Sequence, residues 1–441
     1  MPPTFHERAL VPDSSRSRLL VVAGDRPSLP LWSLLDPEPV ASLREARARF
    51  GIESPFLRLV RLEGNPVAGE DARTILEFDA AAATWQPGAS LAWLPFDGVS
   101  EETIDAGPFG ADVVRWIADL RSGEVPELRP AWARPGWHEA TSAWVIAELE
   151  RLGRTVSGPV EQLGSWAISS LLGIDTNRGR AIVKSVPPLF GHEPELTQAL
   201  ASEHEGHVPA VLAIDPVRRH LVMEAFGGAS LGSEEPGLWA DGLVELAGIQ
   251  QSWIGRRDEA ARIRVEDRSL AALEGELDSI ITDETASPDL APARRERLVA
   301  NLPLYRDLIG RLQAGPVPET LVHGDFHPWN VQRDDGQLVI YDWSDASWGH
   351  PFFDVRTTTV RTPDEAAREQ MNAAYLAAWA AFGDPASLKS ALDWAAPLSE
   401  LHVSISWRRI AAVFEPGAFP FVDGGAQRHL EAALAATDGI G

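Results

Sequence analysis

The sequence lacks cysteine and long hydrophobic segments. Without cysteine, disulfide bonds, thiolate metal sites and thiol nucleophiles are excluded. No apolar run approaches the ~20 residues that a membrane-spanning helix needs. The first 18 residues also lack the apolar core of a signal peptide. These absences predict a cytoplasmic protein with no membrane partner.

Positive charge is also scarce. Lys and Arg number 39 against 64 Asp and Glu, which gives a net charge of −25. This charge argues against nucleic acid as a partner, because phosphate contacts require concentrated basic residues. The acidic surface is explained either by solubility or by attraction of a cationic substrate. Neither a GxGxxG motif nor a P-loop lysine motif is present.

The length and the apolar pattern predict several domains. A chain of 441 residues is too long for one ordinary core. In the first 124 residues, strands are predicted at 18–25, 56–64, 73–80 and 90–97, with a helix at 38–51. A proline-rich connection and an amphipathic helix at 138–153 follow, so residues 125–157 are assigned as linker and helix.

The remainder of the chain divides into a strand-rich part and a helical part. Hairpins are predicted around the turns 176–179 and 216–219, and a helix opens at Pro194. After residue 228, helical patterns cover 237–255, 294–313, 364–383 and 398–414. A small strand-rich lobe at 158–228 and a larger helical lobe at 229–441 form the outline of a two-lobed kinase.

The segment 321–354, LVHGDFHPWNVQRDDGQLVIYDWSDASWGHPFFD, carries the chemistry. Phosphoryl transfer from ATP needs a carboxylate that orients the acceptor hydroxyl and oxygen ligands that hold Mg²⁺. Asp325 would be the base, Asn330 a ligand through its amide oxygen, and Asp342 the carboxylate between metal and phosphates. The pattern QLVIYD places Asp342 at the end of a strand.

The string HGDFHPWN, then IYDW, then GHPFFD resembles the aminoglycoside phosphotransferase and choline kinase-like family. The resemblance covers about residue 158 to the C-terminus. It implies a protein-kinase-like α+β fold, and it matches Asp325 to the catalytic base and Asn330 and Asp342 to the metal ligands. His323 and Asp354 match positions that hold the loop. Gly324 and the DW dipeptide depart from protein kinases and indicate a small-molecule kinase.

The strand-rich lobe supplies the predicted nucleotide contacts. Lys184 lies on an otherwise apolar strand, where an unpartnered lysine would be costly to bury, which favours a phosphate-binding role. By resemblance its ion-pair partner is Glu193, with Glu195 as the alternative. The segment MEAFGG resembles the hinge that binds adenine, with Met223 and Ala225 as the contacts. The turn 164–170 would cover the phosphates.

The N-terminal part, LPLWSLLDPEPVASLREARARFGI, resembles a Nudix hydrolase segment. Only Glu45 of the expected acidic cluster is present, and Ala48 and Arg49 occupy the other places. One carboxylate cannot hold the metal ions that pyrophosphate cleavage requires. The fold class predicted is therefore a two-lobed kinase-like α+β fold, preceded by a small, catalytically degenerate α/β Nudix-like domain.

Two alternatives to an ATP- and Mg²⁺-dependent small-molecule kinase stay open. The first is a kinase-like protein that binds a ligand or regulates without transferring phosphate. The second is hydrolysis by the N-terminal domain. The phosphate acceptor is predicted only as a hydroxyl of a small molecule, such as an aminoglycoside or amino sugar, and the oligomeric state is not predicted. Glu400, His402, Trp407 and Glu415 lie on late helical patterns, where acceptor-site, core and surface roles are all open.

Overall fold

A computed structural model describes residues 2–285, 287–362, 364–415 and 424–438. Its contacts divide the chain into two compact units. Unit 1 consists of Met1–Pro187 and Val413–Phe421. Unit 2 consists of Pro188–Ala412 and Val422–Gly441.

Unit 1 is rich in strands. Its strands are β1 (Phe5–Leu10), β2 (Arg18–Val22), β3 (Leu31–Leu34), β4 (Phe56–Glu63), β5 (Ala72–Phe78), β6 (Leu91–Pro95), β7 (Glu161–Ser165), β8 (Ser170–Thr176) and β9 (Gly179–Ser185). Its helices are α1 (Pro39–Phe50), α2 (Gly110–Ser122) and α3 (Trp137–Arg151).

The first sheet of unit 1 is mixed, with the order β3-β1-β5-β4. Strand β1 pairs antiparallel with β3 and parallel with β5, and β4 and β5 are antiparallel. Strands β2 and β6 form a separate antiparallel pair. Strand β8 pairs antiparallel with both β7 and β9. Two apolar clusters, one around Trp116 and one around Phe78, fill the interior of the N-terminal part of the unit.

Unit 2 is dominated by helices. They are α4 (Glu193–Glu203), α5 (Trp239–Ser252), α6 (Arg257–Arg262), α7 (Leu270–Thr282), α8 (Pro292–Ala300), α9 (Leu302–Gln313), α10 (Phe353–Thr359), α11 (Glu365–Ala378), α12 (Pro385–Ala412) and α13 (Gly425–Thr437). The strands are β10 (Val211–Asp215), β11 (His220–Glu224), β12 (Ala229–Ser230), β13 (Glu266–Asp267), β14 (Thr320–Val322), β15 (Val331–Asp334), β16 (Gln337–Ile340) and β17 (Ser347–Gly349).

One continuous apolar core joins these helices, and it contains the fully buried side chains of Trp253, Trp343 and Trp379. Two small sheets lie on this core, with the orders β12-β15-β16 and β13-β17-β14. Strands β15 and β16 form a hairpin in which Val331 pairs with Ile340. The core therefore fixes both sheets that carry the 321–354 segment.

Most of the predicted elements are confirmed. The four N-terminal strands appear as β2, β4, β5 and β6, and the helix between them as α1, which ends at Gly51 in the left-handed conformation. Both predicted hairpins form, as β8–β9 and β10–β11. The mixture of helices and sheets agrees with the predicted α+β class. Among the residues described, none of the helices has the length and hydropathy needed to cross a membrane.

Two elements differ from the prediction. The apolar pattern SWAISSLLGID, residues 165–175, predicts one strand before the 176–179 turn, but that strand starts at Ser170. Residues 166–169 form the turn between β7 and β8, closed by a 2.7 Å hydrogen bond from Trp166 N to Ser169 O. The helix expected at 294–313 is two helices that meet at Asn301. Pro303 explains the break, because proline lacks an N–H and its ring clashes with the carbonyl of the preceding turn.

Candidate active site

The second residue of the loop between β14 and β15 must be glycine. Gly324 has a φ of 86°, a left-handed conformation that favours glycine. A Cβ atom at this position would lie 2.1 Å from the Asp345 carbonyl oxygen. Two parts of the backbone therefore approach each other closely here, and the approach fixes the conformation of the chain directly before Asp325.

Asp354 holds the start of the same loop. Its carboxylate accepts hydrogen bonds from His323 N at 2.7 Å and Gly324 N at 2.8 Å, and from Gln250 Nε2 at 2.9 Å. Burial raises the pKa of Asp354 to about 7, although all three of these hydrogen bonds favour the anion. The predicted role of Asp354 in holding the loop is confirmed.

His323 is fully buried and links the loop to the following hairpin. Its Nε2 atom lies 3.1 Å from the Tyr341 carbonyl oxygen. Because a carbonyl only accepts, Nε2 carries the proton. Burial lowers the pKa of His323 to about 4, while the charges of Asp325 and Asp342 act in the opposite direction. Both carboxylates therefore lie close enough to the same imidazole to influence it.

The β15–β16 hairpin places Asn330 beside Asp342. Tyr341 N donates to Asn330 O at 3.1 Å, which extends the pairing of the hairpin by one step beyond Val331 and Ile340. Asn330 Nδ2 donates to Asp325 O at 3.1 Å. Since the amide nitrogen is held by the backbone of the loop, the Oδ1 atom is the group that can face a cation. Asn330 thus connects the positions of Asp325 and Asp342.

Asp342 follows β16 by two residues and has an unusual backbone conformation. Its φ is 65° and its ψ is 64°. Left-handed conformations of non-glycine residues persist where the surrounding structure determines them, and they are concentrated at functional sites. Ser344 Oγ donates to Asp342 Oδ1 at 2.5 Å and orients the carboxylate.

The Asp325 side chain is partly open to solvent, with an exposed fraction of 43%. Its carboxylate lies 3.4 Å from His327 Nε2 and 3.6 Å from an Arg361 guanidinium nitrogen. An exposed carboxylate with a fixed backbone is accessible to a substrate hydroxyl. Arg361 had no signal in the sequence, because it follows α10 outside the recognisable motif.

The oxygen donors of Asn330 and Asp342 suit Mg²⁺, a hard cation that prefers carboxylate and amide oxygens. Within the described ranges, no group of three or more His, Cys, Asp or Glu side chains could hold a metal ion. Two protein ligands fit Mg²⁺ in sites where nucleotide phosphates and water complete the coordination. The donor set therefore fits a metal that arrives with a nucleotide.

The predicted hinge packs on this same hairpin. Met223 is buried at the end of β11, whereas Ala225 is exposed. The rings of Phe226 and Tyr341 lie 5.0 Å apart. At Gly228, with a φ of 87°, a Cβ atom would lie 2.0 Å from the Arg333 carbonyl oxygen. The backbone near Ala225 is thus held beside the β15–β16 hairpin, which lies between Asn330 and Asp342.

The remaining predicted nucleotide contacts lie on β9 and α4. Lys184 is on β9 in unit 1, opposite Leu171 of β8, and is 6% exposed. Glu193 is the first residue of α4 in unit 2 and is 2% exposed. Glu195 forms an ion pair with Arg264 and is more exposed. The pairing of Lys184 with either glutamate stays a prediction.

Several residues around the loop were not found from the sequence. Gln250 of α5 binds Asp354, and it also accepts from Tyr375 Oη at 2.5 Å. Thr357 and Thr358 both donate to the Phe326 carbonyl oxygen. Such residues have no motif of their own, because their identity depends on which helix packs against the loop.

The late helical residues have structural partners. Glu400 accepts from Arg356 Nε at 2.6 Å and lies 2.7 Å from His429 Nδ1, and His402 is buried 3.3 Å from Ser347 Oγ. Glu415 does not lie on a helix, because α12 ends at Ala412. It belongs to unit 1, where it pairs with Arg129.

Comparison with known proteins identified a family by sequence. A sequence model described as the phosphotransferase enzyme family matches residues 160–389, more than half of the chain. The predicted start of the resemblance, near residue 158, is confirmed, while the match ends before the C-terminus. A search of curated proteins found no significant match.

Solved structures with detectable similarity are distant in sequence. A choline/ethanolamine kinase family protein from Mesorhizobium loti is 16% identical, with a TM-score of 0.49, over 68% of this chain and 95% of the other. A macrolide 2'-phosphotransferase from Brachybacterium faecium is 18% identical, with a TM-score of 0.43, over 68% of this chain and 99% of the other. The GDP and kanamycin complex of APH(2'')-IIIa is 14% identical, with a TM-score of 0.49, over 68% and 98%.

Proposed function

This chain belongs to the phosphotransferase enzyme family, and from that premise we propose that it is a small-molecule kinase. It would transfer the γ-phosphoryl group of ATP to a hydroxyl of a small alcohol. The observation that carries the proposal is the arrangement within unit 2 of Asp325, Asn330 and Asp342. Asn330 bonds to the backbone of Asp325, and its hairpin partner Tyr341 directly precedes Asp342.

Each of the three side chains has a separate task in this reaction. Asp325 orients the acceptor hydroxyl and takes its proton as the oxygen attacks the γ-phosphorus. The bond between that phosphorus and the β–γ bridging oxygen breaks, and ADP leaves. Asn330 and Asp342 would hold Mg²⁺, which neutralises charge on the phosphates when it is bound.

Lys184 and the hinge complete the proposed nucleotide site. We assign Lys184 to the phosphates of ATP, with Glu193 as its ion-pair partner. Two observations support Glu193: it is almost fully buried at the start of α4, and Glu195 already pairs with Arg264. The adenine would bind the backbone near Met223 and Ala225, which are close to the hairpin of Asn330 and Asp342.

The acceptor is proposed to carry an amine as well as a hydroxyl. The net charge of −25 attracts cationic molecules and raises their local concentration near the protein. Aminoglycosides and amino sugars have this combination of groups. A panel of aminated and non-aminated alcohols, assayed by coupled ADP release, would identify the acceptor, and we expect turnover among the aminated members.

The Asp325→Asn variant tests the assigned chemistry. Asparagine keeps the size of the side chain but removes the base, so kcat should fall by about 10²–10⁴-fold. Asp335→Asn is the matched control, because Asp335 lies exposed in the turn between β15 and β16. Wild-type turnover in Asp325→Asn would remove Asp325 from the mechanism. Binding of ATP without turnover of any alcohol would instead favour a regulatory, non-transferring protein.

We propose in addition that the N-terminal domain, residues 1–124, is Nudix-like and catalytically inactive. A mixed sheet with α1 beside it is compatible with that fold, and Glu45 is engaged in an ion pair with Arg49 at 2.7 Å. Residues 125–157 would link it to the lobes at 158–228 and 229–441. Nucleoside-diphosphate compounds should stay intact when incubated with the full chain and Mg²⁺; their hydrolysis by an Asp325→Asn protein would contradict the assignment.

A further inference from the structure

Unit 1 contains a cavity that the proposed kinase chemistry does not use. Its volume is about 140 Å³. It lies against one face of the β3-β1-β5-β4 sheet, where Glu7, Thr74 and Leu62 are neighbours across β1, β5 and β4. Helix α1 closes one side through Ser42, and Phe414 lines the cavity from the segment that follows α12.

The size of the cavity restricts its occupant. An engineered cavity of roughly 150 Å³ with apolar walls binds benzene, so a space of this volume accommodates about one aromatic ring. The walls are mainly apolar and include Phe5, Phe56, Leu76 and Trp132. A ring-sized apolar body therefore fits both the volume and the chemistry of the walls.

Two polar side chains interrupt the apolar wall side by side. Glu7 of β1 pairs in register with Thr74 of β5, so both side chains face the same side of the sheet. Glu7 is 2% exposed and Thr74 is 3% exposed. Among the described residues, Thr74 Oγ1 has no hydrogen-bond partner. A buried polar atom without a partner requires an explanation, and a bound molecule supplies one.

Glu7 is a carboxylate of the cavity wall that has no ion-pair partner among the described residues. Its hydrogen bonds come from neutral groups, namely Trp32 Nε1 at 2.6 Å and the Ser42 hydroxyl. No arginine, lysine or histidine in the described part of the chain forms an ion pair with it. Burial of the carboxylate raises the pKa of Glu7, which is the expected effect of a negative charge without a counter-ion.

The other charged groups of the wall are already paired. Arg58 Nε donates to Glu77 at 2.6 Å. Glu415 accepts two hydrogen bonds from Arg129, at 2.9 and 2.7 Å. The positive charges near the cavity are therefore balanced by their own carboxylates, which argues against an anionic ligand.

We propose that this cavity is a binding site for a ring-sized apolar amine, whose protonated nitrogen contacts Glu7 and whose ring fills the apolar space. The Thr74 hydroxyl accepts a second hydrogen bond from the same amine. This gives unit 1 a ligand-binding role that is separate from phosphoryl transfer and does not depend on it.

Calorimetric titration of the full chain with benzylamine tests the site. We expect saturable binding, because benzylamine combines one ring with one protonated amine. Glu7→Gln keeps the shape of the side chain but removes its charge, so benzylamine affinity should fall by about 10- to 100-fold. Benzyl alcohol has nearly the same shape without a charge, and its affinity should be similar in the wild type and in Glu7→Gln.

Two further variants distinguish binding inside the cavity from attraction of the amine by the acidic surface in general. Glu45→Gln removes the same charge from α1 outside the cavity lining and should leave benzylamine affinity unchanged. Leu62→Trp adds an indole at a half-buried lining position and should abolish binding of both probes. The proposal is overturned if the wild type does not bind benzylamine, if Glu7→Gln binds it as tightly as the wild type, or if Glu45→Gln weakens it equally.

Discussion

Lysine occupies only two positions in this chain, Lys184 and Lys389, although Lys and Arg together number 39. Lys389 is exposed on α12 and pairs with Asp393 at 2.5 Å. Lys184 is buried in a strand, where a compact ammonium needs less space than a branched, planar guanidinium. The use of lysine at this buried position supports the role proposed for Lys184 at the nucleotide phosphates.

The same substitution, lysine to arginine, made separately at Lys184 and at Lys389, tests this role. Lys184→Arg keeps the positive charge but overpacks the site and displaces that charge, so kcat/KM for ATP should fall by about tenfold or more. Lys389→Arg keeps an exposed helical ion pair and should leave kcat/KM unchanged. Steady-state kinetics with varied ATP measures both effects, and equal behaviour of the two variants would argue against a phosphate contact at Lys184.

Gly324 offers a second comparison at the scale of one residue. Gly324 and Gly336 share a φ of 86°, but only at Gly324 would a Cβ atom meet backbone, at 2.1 Å from Asp345 O. Gly336→Ala should cost only the left-handed strain, roughly 1–2 kcal/mol. Gly324→Ala should lower the melting temperature further and abolish turnover, because the loop before Asp325 must move. Similar melting temperatures and activities in both variants would contradict this.

At the scale of elements, α5 supports the catalytic loop through one side chain. Gln250 donates to Asp354, which holds His323 and Gly324, and it also binds Tyr375 of α11. Gln250→Met keeps the length of the side chain but leaves two buried polar groups without this partner. Each such group costs about 1–3 kcal/mol. We expect a lower free energy of unfolding in urea, together with a lower kcat.

The neighbouring glutamine is the control for this prediction. Gln251 donates to Ala378 O at 2.8 Å from a half-buried position, where water can replace the bond. Gln251→Met should therefore change stability only slightly and leave kcat unchanged. If Gln250→Met retained full activity despite its lower stability, the support of the loop by α5 would be structural only.

The predictability of the elements depended on local signals. The hairpins β8–β9 and β10–β11 were predictable because a turn sequence separates two apolar runs. Strands β1 and β3 were not predicted, since they are short and depend on pairing with distant chain: β1 lies between β3 and β5. The division into α8 and α9 was missed because the apolar period continues across Asn301 while Pro303 breaks the backbone.

Some residues of the candidate site were also predictable from local sequence, and others were not. Asp325, Asn330 and Asp342 could be proposed from the sequence because they lie within 18 residues of one another and each has a known chemical task. Gln250, Thr357 and Arg361 could not be proposed, because they reach the loop only through tertiary packing. The cavity beside Glu7 was equally hidden, since its walls come from strands and segments that are far apart in the sequence.

At the scale of the whole molecule, buried histidines make stability depend on pH. Burial lowers the pKa of His323 to about 4 and that of His350 to about 3, and it lowers the pKa of His402 well below its usual value. Because these values lie below the unfolded value of about 6.5, the stabilisation is complete above pH 6.5 and is lost as the pH falls. Asp354 has the opposite effect on stability: because its pKa is raised to about 7, its own contribution makes the folded state more stable as the pH falls.

The His350→Asn variant isolates one of these contributions. Asparagine can accept the hydrogen bond that Phe352 N donates to His350 Nδ1 at 3.4 Å, but it does not titrate. Between pH 6 and pH 4 the wild type should lose roughly 1 kcal/mol per pH unit more than the variant, because up to one proton fewer is bound in the folded state. The contribution of Asp354 is the same in both proteins and cancels in the difference.

Leu398→Ala is the control. It opens a buried site without removing a titratable group, so it should lower the free energy of unfolding equally at every pH. Urea unfolding across this range measures the slopes, and parallel curves for the wild type and His350→Asn would show that His350 is protonated in the folded protein, in conflict with its burial beside Phe352 and Phe353.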